Sequence, residues 1–229
     1  EFQPEERIAQ VIQIQTYEDA PYLVLATAQG RVKKSRLTDY ESARSAGLIA
    51  INLNEDDRLI GAALVNEGDD ILLVSQFGQS IRFTADDEQL RPMGRATAGV
   101  KGMRFRGDDQ LLAMSVVRDG EFLLVATSGG YGKRTSAFEY RVTGRGGQGI
   151  TGVALTRKNG GAAVASFPVR DGDALMLVTD AGRTIRIPVD DIRIAGRATQ
   201  GVTLFRIEDD EHVTSVFPVV EDEAEGEAA

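Results

Sequence analysis

The sequence contains no cysteine and only one histidine in 229 residues. The first absence excludes disulfides, thiol nucleophiles and cysteine-ligated zinc or iron. The second leaves His212 unable to build a multi-histidine metal site, and it is expected at a strand edge. No apolar run approaches the roughly 18 residues of a membrane span, and no signal-peptide pattern opens the chain. A cytoplasmic chain without a membrane partner, metal or cofactor of its own is therefore expected. A helical period of apolar residues is also missing, which leaves an all-β fold of short, β-branched strands.

What the chain has is charge, unevenly spread. The formal net charge is -9, yet acidic residues fall in short runs such as Glu55-Asp57, Asp86-Glu88 and Glu208-Glu211. Cations gather elsewhere, as at Arg31, Lys33, Lys34 and Arg36. Patches rather than net charge set the field that a ligand meets at close range. The acidic residues 221–229 lack aromatic and β-branched side chains and are expected to be a disordered tail.

The chain also repeats itself. Residues 22–63, 71–115, 122–166 and 174–216 align as four copies. Each opens on an apolar strand (YLVLAT, ILLVSQ, FLLVAT, ALMLVT) and reaches a turn glycine at Gly30, Gly78, Gly130 and Gly182. A hydroxyl stands three residues before each glycine, at Thr27, Ser75, Thr127 and Thr179. A cation stands four residues after it, at Lys34, Arg82, Arg134 and Arg186. Further strands are expected at LIAINL, VKGMRF, ITGVAL and VTLFRI, and then at LIGAAL, LLAMSV, AAVASF and VTSVFP. Four-stranded units of about 50 residues read as blades of a propeller-like fold. They are expected to form a single domain over residues 1–220, with Ile8–Ile14 as a strand left over from a preceding blade.

Between the second and third strands lies a loop of the form basic-x-x-Gly-Arg-x-x-x-Gly. It runs from Arg91 through Arg95 to Gly99, from Arg141 through Arg145 to Gly149, and from Arg193 through Arg197 to Gly201, with a weaker copy at Asp39–Gly47. Arginine pairs with phosphate oxygens through two bonds, and glycine lets backbone approach a ligand closely. The alternative is a connection whose arginines bond carbonyls of a neighbouring strand. For Lys34, Arg82, Arg134 and Arg186 the choice lies between a spaced track of phosphate-binding charges and cations guarding strand edges. No GxxxxGK[ST] run occurs, so a polymer of phosphates suits the pattern better than a nucleotide. The aspartates fall mostly in turns, Tyr131 and Tyr140 read as packing or rim residues, and no catalytic residue is assigned.

The stretches Ala26–Ser35 (ATAQGRVKKS), Gly94–Arg104 (GRATAGVKGMR), Gly130–Thr135 (GYGKRT), Asp180–Arg186 (DAGRTIR) and Gly196–Val202 (GRATQGV) resemble the C-terminal domain of DNA gyrase A. The resemblance runs from about Glu5 to Val220. It implies a β-pinwheel, in which blades exchange strands with their neighbours, and a basic perimeter that binds, bends and wraps duplex DNA without reading its sequence. It adds Lys101, Arg104, Lys133 and Arg183 to the cations expected at DNA. The implied partners, beyond DNA, are the remainder of gyrase A and the whole of gyrase B. ATP, magnesium and the catalytic tyrosine belong to those other parts, so this chain is expected to be non-catalytic. The family's first-blade box, QRRGGKG, is absent; Thr143–Gly149 (TGRGGQG) shares four of its seven positions. The related topoisomerase IV domain is the nearest alternative within the family, and a protein-interaction propeller the alternative outside it.

Overall fold

A computed structural model describes residues 7–41 and 47–219. The first repeat contributes β1 (Tyr22–Thr27), β2 (Arg31–Arg36) and β3 (Leu59–Val65). The second contributes β4 (Asp70–Ser75), β5 (Gln79–Thr84), β6 (Val100–Lys101) and β7 (Leu111–Val117). The third contributes β8 (Phe122–Thr127), β9 (Tyr131–Ser136), β10 (Ile150–Thr151) and β11 (Ala163–Val169). In the fourth are β12 (Ala174–Thr179), β13 (Thr184–Pro188), β14 (Val202–Thr203) and β15 (Val213–Val219). The helical segments among the described residues are single 3-10 turns of three or four residues.

Each repeat's first strand is its sheet's centre. β1 pairs with β2 and β3, and the same antiparallel arrangement recurs around β4, β8 and β12. Central strands are covered on both faces, hence their near-continuous apolar runs. The repeated hydroxyl and glycine close the hairpins. Thr27, Ser75, Thr127 and Thr179 accept a hydrogen bond from the backbone N–H four residues on, at 3.1–3.3 Å. The glycines at Gly30, Gly78, Gly130 and Gly182 hold φ between 75° and 79°, a region costly for other residues.

The third strands are shorter than the sequence suggests, and they show the exchange between neighbouring repeats that the β-pinwheel resemblance implies. Three of them keep only two paired residues, and each lies on the second strand of the preceding repeat. The sheet orders are β3-β1-β2-β6, β10-β5-β4-β7 and β11-β8-β9-β14, while the fourth is β13-β12-β15. Sequence alternation locates an extended segment but not the strand that will receive its hydrogen bonds. The exchange does so through one repeated contact. Gly102 and Met103 donate their N–H groups to Gly30 O, Gly152 and Val153 to Gly78 O, and Leu204 and Phe205 to Gly130 O. In the first repeat LIAINL forms no strand. Ile8–Ile14 forms none either, with Ile8 and Val11 exposed; a strand needs a neighbour's carbonyls, and no described strand pairs with it.

The described residues gather into two compact units. One holds the described residues up to Ser75 with Gln79–Arg118 and Arg141–Ile150; the other holds Gln76–Gly78, Asp119–Tyr140 and the described residues from Thr151 to Val219. Strand exchange explains why Arg141–Ile150, from the third repeat, is counted with the first unit. The first unit's core includes Val24, Val32, Leu73, Ile81, Phe83 and Met103, and the second's includes Leu124, Leu175, Leu177, Val189 and Val213. Each such side chain contributes roughly 1.5–3 kcal/mol by leaving water.

Candidate nucleic-acid interface

The cations four residues after the hairpin glycines occupy equivalent rungs, opposite Val24, Leu72, Leu124 and Met176 of the central strands. Three of the four are not on the surface. Lys34 is wholly buried, donates to Ala85 O at 2.7 Å and to Asp87 Oδ1 at 3.2 Å, and lies 4.5 Å from the centre of the Tyr22 ring. Arg82 is clamped by Asp70, its Nε at 2.8 Å and Nη2 at 2.7 Å from one carboxylate oxygen. Arg134 donates to Ile192 O at 2.8 Å and pairs with Asp171 at 2.6 Å. A track of phosphate-binding charges through these three is therefore corrected to a set of internal ties. The offset fixes a rung, while the incoming loop of the next repeat decides what covers it. Arg186, on β13, is the exposed member.

These ties make a graded prediction. Asp70→Asn leaves buried Arg82 facing a neutral amide and should cost about 1–3 kcal/mol in chemical denaturation. Asp87→Asn alters an exposed carboxylate at Lys34 and should cost under about 1 kcal/mol.

The arginine-glycine loops dock on the preceding second strand. Met93, Thr143 and Ala195 donate N–H groups to the carbonyls of Lys34, Arg82 and Arg134, each at 2.8–2.9 Å. The closing glycines have φ of 70° to 79°. A Cβ on Gly201 would lie 2.5 Å from Gly132 O, and one on Gly99 or Gly149 would overlap Val32 O or Ser80 O. Glycine is thus required for docking, independent of any ligand.

The second arginine of two loops also turns inward. Arg145 donates to Gln89 O and, at 3.0 Å, to Lys101 O, while Arg197 donates to Thr151 O. Arg95 is half-buried. Arg31 holds Ala98 O at 2.8 Å and Gly99 O at 2.6 Å, and Lys101 reaches Gln29 O at 3.1 Å. Arg183 pairs with buried Glu211 at 2.8 Å and lies 4.6 Å from the centre of the Phe205 ring. Lys33 and Lys133 are wholly buried. Carbonyl bonding therefore accounts for Arg31, Lys101, Arg145 and Arg197, which were expected at DNA.

What remains outside is the lead arginine of each loop. Arg91, Arg141 and Arg193 are exposed at equivalent points, and among the described residues their guanidinium groups make no hydrogen bond or ion pair. Arg36, Arg104 and Arg186 are exposed too. The sequence reading overlooked Arg106, Arg157, Lys158 and Arg206, also exposed, because they follow the third strands and lack a four-fold repeat. Arg44, in the weaker loop copy, and the acidic tail lie outside the described residues. Tyr140 is buried, which pushes its phenol up to about 12, so it is a packing residue. His212 pairs with Asp180 at 3.3 Å near the edge of β15.

Comparison with known proteins agrees with this architecture. A family model described as the DNA gyrase C-terminal domain, a beta-propeller, matches residues 21–66, 69–118, 121–169 and 173–219. DNA gyrase A of Mycobacterium tuberculosis is 59% identical over 206 residues, covering 90% of this chain and 24% of the relative. Its counterpart in Streptomyces coelicolor is 54% identical over 211 residues, with the same coverages. The chain thus spans about a quarter of the length of these relatives. Among solved structures, the C-terminal domain of a DNA topoisomerase IV superposes with a TM-score of 0.86 at 27% identity, covering 95% of this chain and 68% of the other. A DNA gyrase A C-terminal domain gives 0.82 at 26% identity, covering 96% and 72%. With four matched blade repeats and sheets that exchange their third strands, the chain belongs to the DNA gyrase C-terminal domain family of β-propellers.

Proposed function

We propose that this chain binds and bends duplex DNA as the non-catalytic wrapping domain of a type IIA topoisomerase, contributing to negative supercoiling in the intact cytoplasmic enzyme. The carrying observation is the lead arginine of three docked loops: Arg91, Arg141 and Arg193 recur at one point of the repeat, exposed and without internal partners among the described residues. A cation held at the same point of each docked loop suits phosphate contact, and contacts of this kind position DNA without reading bases. Bending a duplex with a persistence length of ~50 nm costs energy, which contacts spread along the path offset. Duplex DNA is thus the proposed direct partner; the remainder of gyrase A and the gyrase B protein are the proposed partners in the whole enzyme, where ATP and magnesium would act.

Relaxed circular DNA, bound by the chain and then treated with a nicking-closing enzyme, tests the bending. The expected result is a shifted topoisomer distribution that grows with protein added. A distribution identical to that of DNA alone at saturating protein contradicts the proposal.

A further inference from the structure

Two lysines that the docking geometry removes from the surface have no evident reason to be charged. Lys33 and Lys133 stand at the same point of β2 and β9, wholly buried. A buried ammonium is costly unless all its donors are used. Lys33 donates to Ala50 O at 2.5 Å and to Arg95 O. Lys133 donates to Gly196 O at 2.8 Å, to Arg197 O, and to Thr199 Oγ1 at 3.4 Å. In both cases the acceptors include the backbone of the Gly-Arg pair in the following repeat's loop.

The remaining repeats sharpen the observation. The same point carries Ile81 in β5 and Ile185 in β13. The two lysine-held loops read Arg-Ala-Thr at Arg95–Thr97 and Arg197–Thr199, whereas the loop over Ile81 reads Arg-Gly-Gly at Arg145–Gly147. The chemistry explains the pairing. Thr97 and Thr199 turn their hydroxyls back to Gly94 O and Gly196 O, at 3.1 and 2.8 Å, beside the carbonyls that the ammonium gathers. Gly146, at φ 80°, instead donates its N–H to Gly102 O at 2.6 Å, and Gly147 lies against Ile81. A strand lysine goes with one loop type and a strand isoleucine with the other.

We infer that Lys33 and Lys133 are positioning residues for DNA contact: each is a clip that fixes the loop of the following repeat and so places Arg91 or Arg193 at the surface. The inference rests on the DNA-binding reading for its consequence, but the clip itself does not. An aliphatic residue of similar length would remove the burial cost, as Ile81 does under the Arg-Gly-Gly loop, so the lysines serve the Arg-Ala-Thr form of the loop, whose carbonyls the ammonium gathers.

Protonation gives an independent handle. Burial pulls both lysines down to about 8. The Arg95 guanidinium adds to this at Lys33 while Asp39 opposes it; at Lys133 Glu139 opposes burial and Arg197 reinforces it. Between about pH 8 and the ordinary 10.5 the unfolded chain binds protons that the native lysines have released. Global stability therefore gains with pH across that window even as the clips lose their charge.

Lys133→Ile gives β9 the residue that β5 and β13 carry, so it should fold while leaving an Arg-Ala-Thr loop over isoleucine. Amide exchange in residues 196–201 should accelerate at least about tenfold, and affinity for a short duplex should fall several-fold. The triple variant Lys133→Ile, Ala198→Gly, Thr199→Gly installs the matched pair and should restore both. A DNA affinity that weakens above pH 8 in the parent and less steeply in Lys33→Ile/Lys133→Ile is also expected. Unchanged exchange in Lys133→Ile, or failure of the triple variant to restore protection, overturns the clip whatever DNA does. Faster exchange with unaltered affinity overturns the positioning role. A parent chain that binds no DNA defeats the functional reading and leaves the exchange result to judge the clip.

Discussion

Replacing Arg91, Arg141 and Arg193 together by alanine should weaken duplex binding about a hundredfold at low salt, with no loss of folding. The arginines are exposed, and no described residue depends on their guanidinium groups, so their removal leaves no buried group unsatisfied. At about 1 kcal/mol for each solvent-exposed charge pair, three lost pairs amount to roughly 3 kcal/mol, or two decades of affinity. Binding should weaken uniformly across DNA sequences, because phosphate contacts carry no base information. Alanine at Arg118 and Arg170, exposed cations at the ends of the fourth strands, should have a much smaller effect. Filter binding or fluorescence anisotropy with a duplex of a few tens of base pairs, on all variants side by side, reads the difference. Equal losses in the two sets would mean that general charge, not the repeated loop position, attracts the DNA.

A second large effect is expected from two glycines that look interchangeable in the sequence. Gly130 and Gly182 both close hairpins, with φ of 75° and 78°. Gly182→Ala meets no atom within 4 Å and should cost only the backbone strain, about 1–2 kcal/mol. Gly130→Ala carries the same strain and drives its Cβ into the carbonyl of Phe205. That residue is one of the two whose N–H groups seat on Gly130 O, at 2.8 and 3.1 Å. The exchanged strand cannot stay in place, and the total should reach about 3–5 kcal/mol. Denaturant midpoints measure both costs. Limited proteolysis should in addition open the chain near residues 193–205 in Gly130→Ala alone. Similar midpoints for the two variants would show that the docking contact contributes little.

These glycines also show where sequence reading stops. Strands, hairpin glycines and the four-fold period follow from alternation and from a backbone conformation that one residue type adopts easily, so the all-β class and the blades are legible without coordinates. The repeated hydroxyl is legible as a position; its task of accepting the N–H four residues on needs the turn to be built. Exchange of the third strand is a long-range choice of hydrogen-bond partner, and no local pattern in VKGMRF or ITGVAL names the recipient.

The site was legible in the same partial way. Recurrence picked out Lys34, Arg82 and Arg134 as equivalent, and they are equivalent. It could not separate a cation that faces water from one covered by the next repeat, since both give a basic residue at a fixed offset. Arg145 and Arg197 illustrate the point, for each occupies the loop position expected to meet phosphate and each spends its donors on backbone carbonyls. The lead arginines, four residues earlier in the same motif, are the ones left outside. A signal was available: Arg-Ala-Thr loops accompany a lysine in the preceding second strand and Arg-Gly-Gly accompanies isoleucine, which points to a packing contact beneath the loop.

The most direct test of DNA binding through these surface cations is the salt dependence of the parent chain's affinity for duplex DNA. With Arg36, Arg91, Arg104, Arg141, Arg186 and Arg193 at phosphates, log K should fall against log salt with a slope of about -5. A slope near zero, or no binding at low salt, would contradict it.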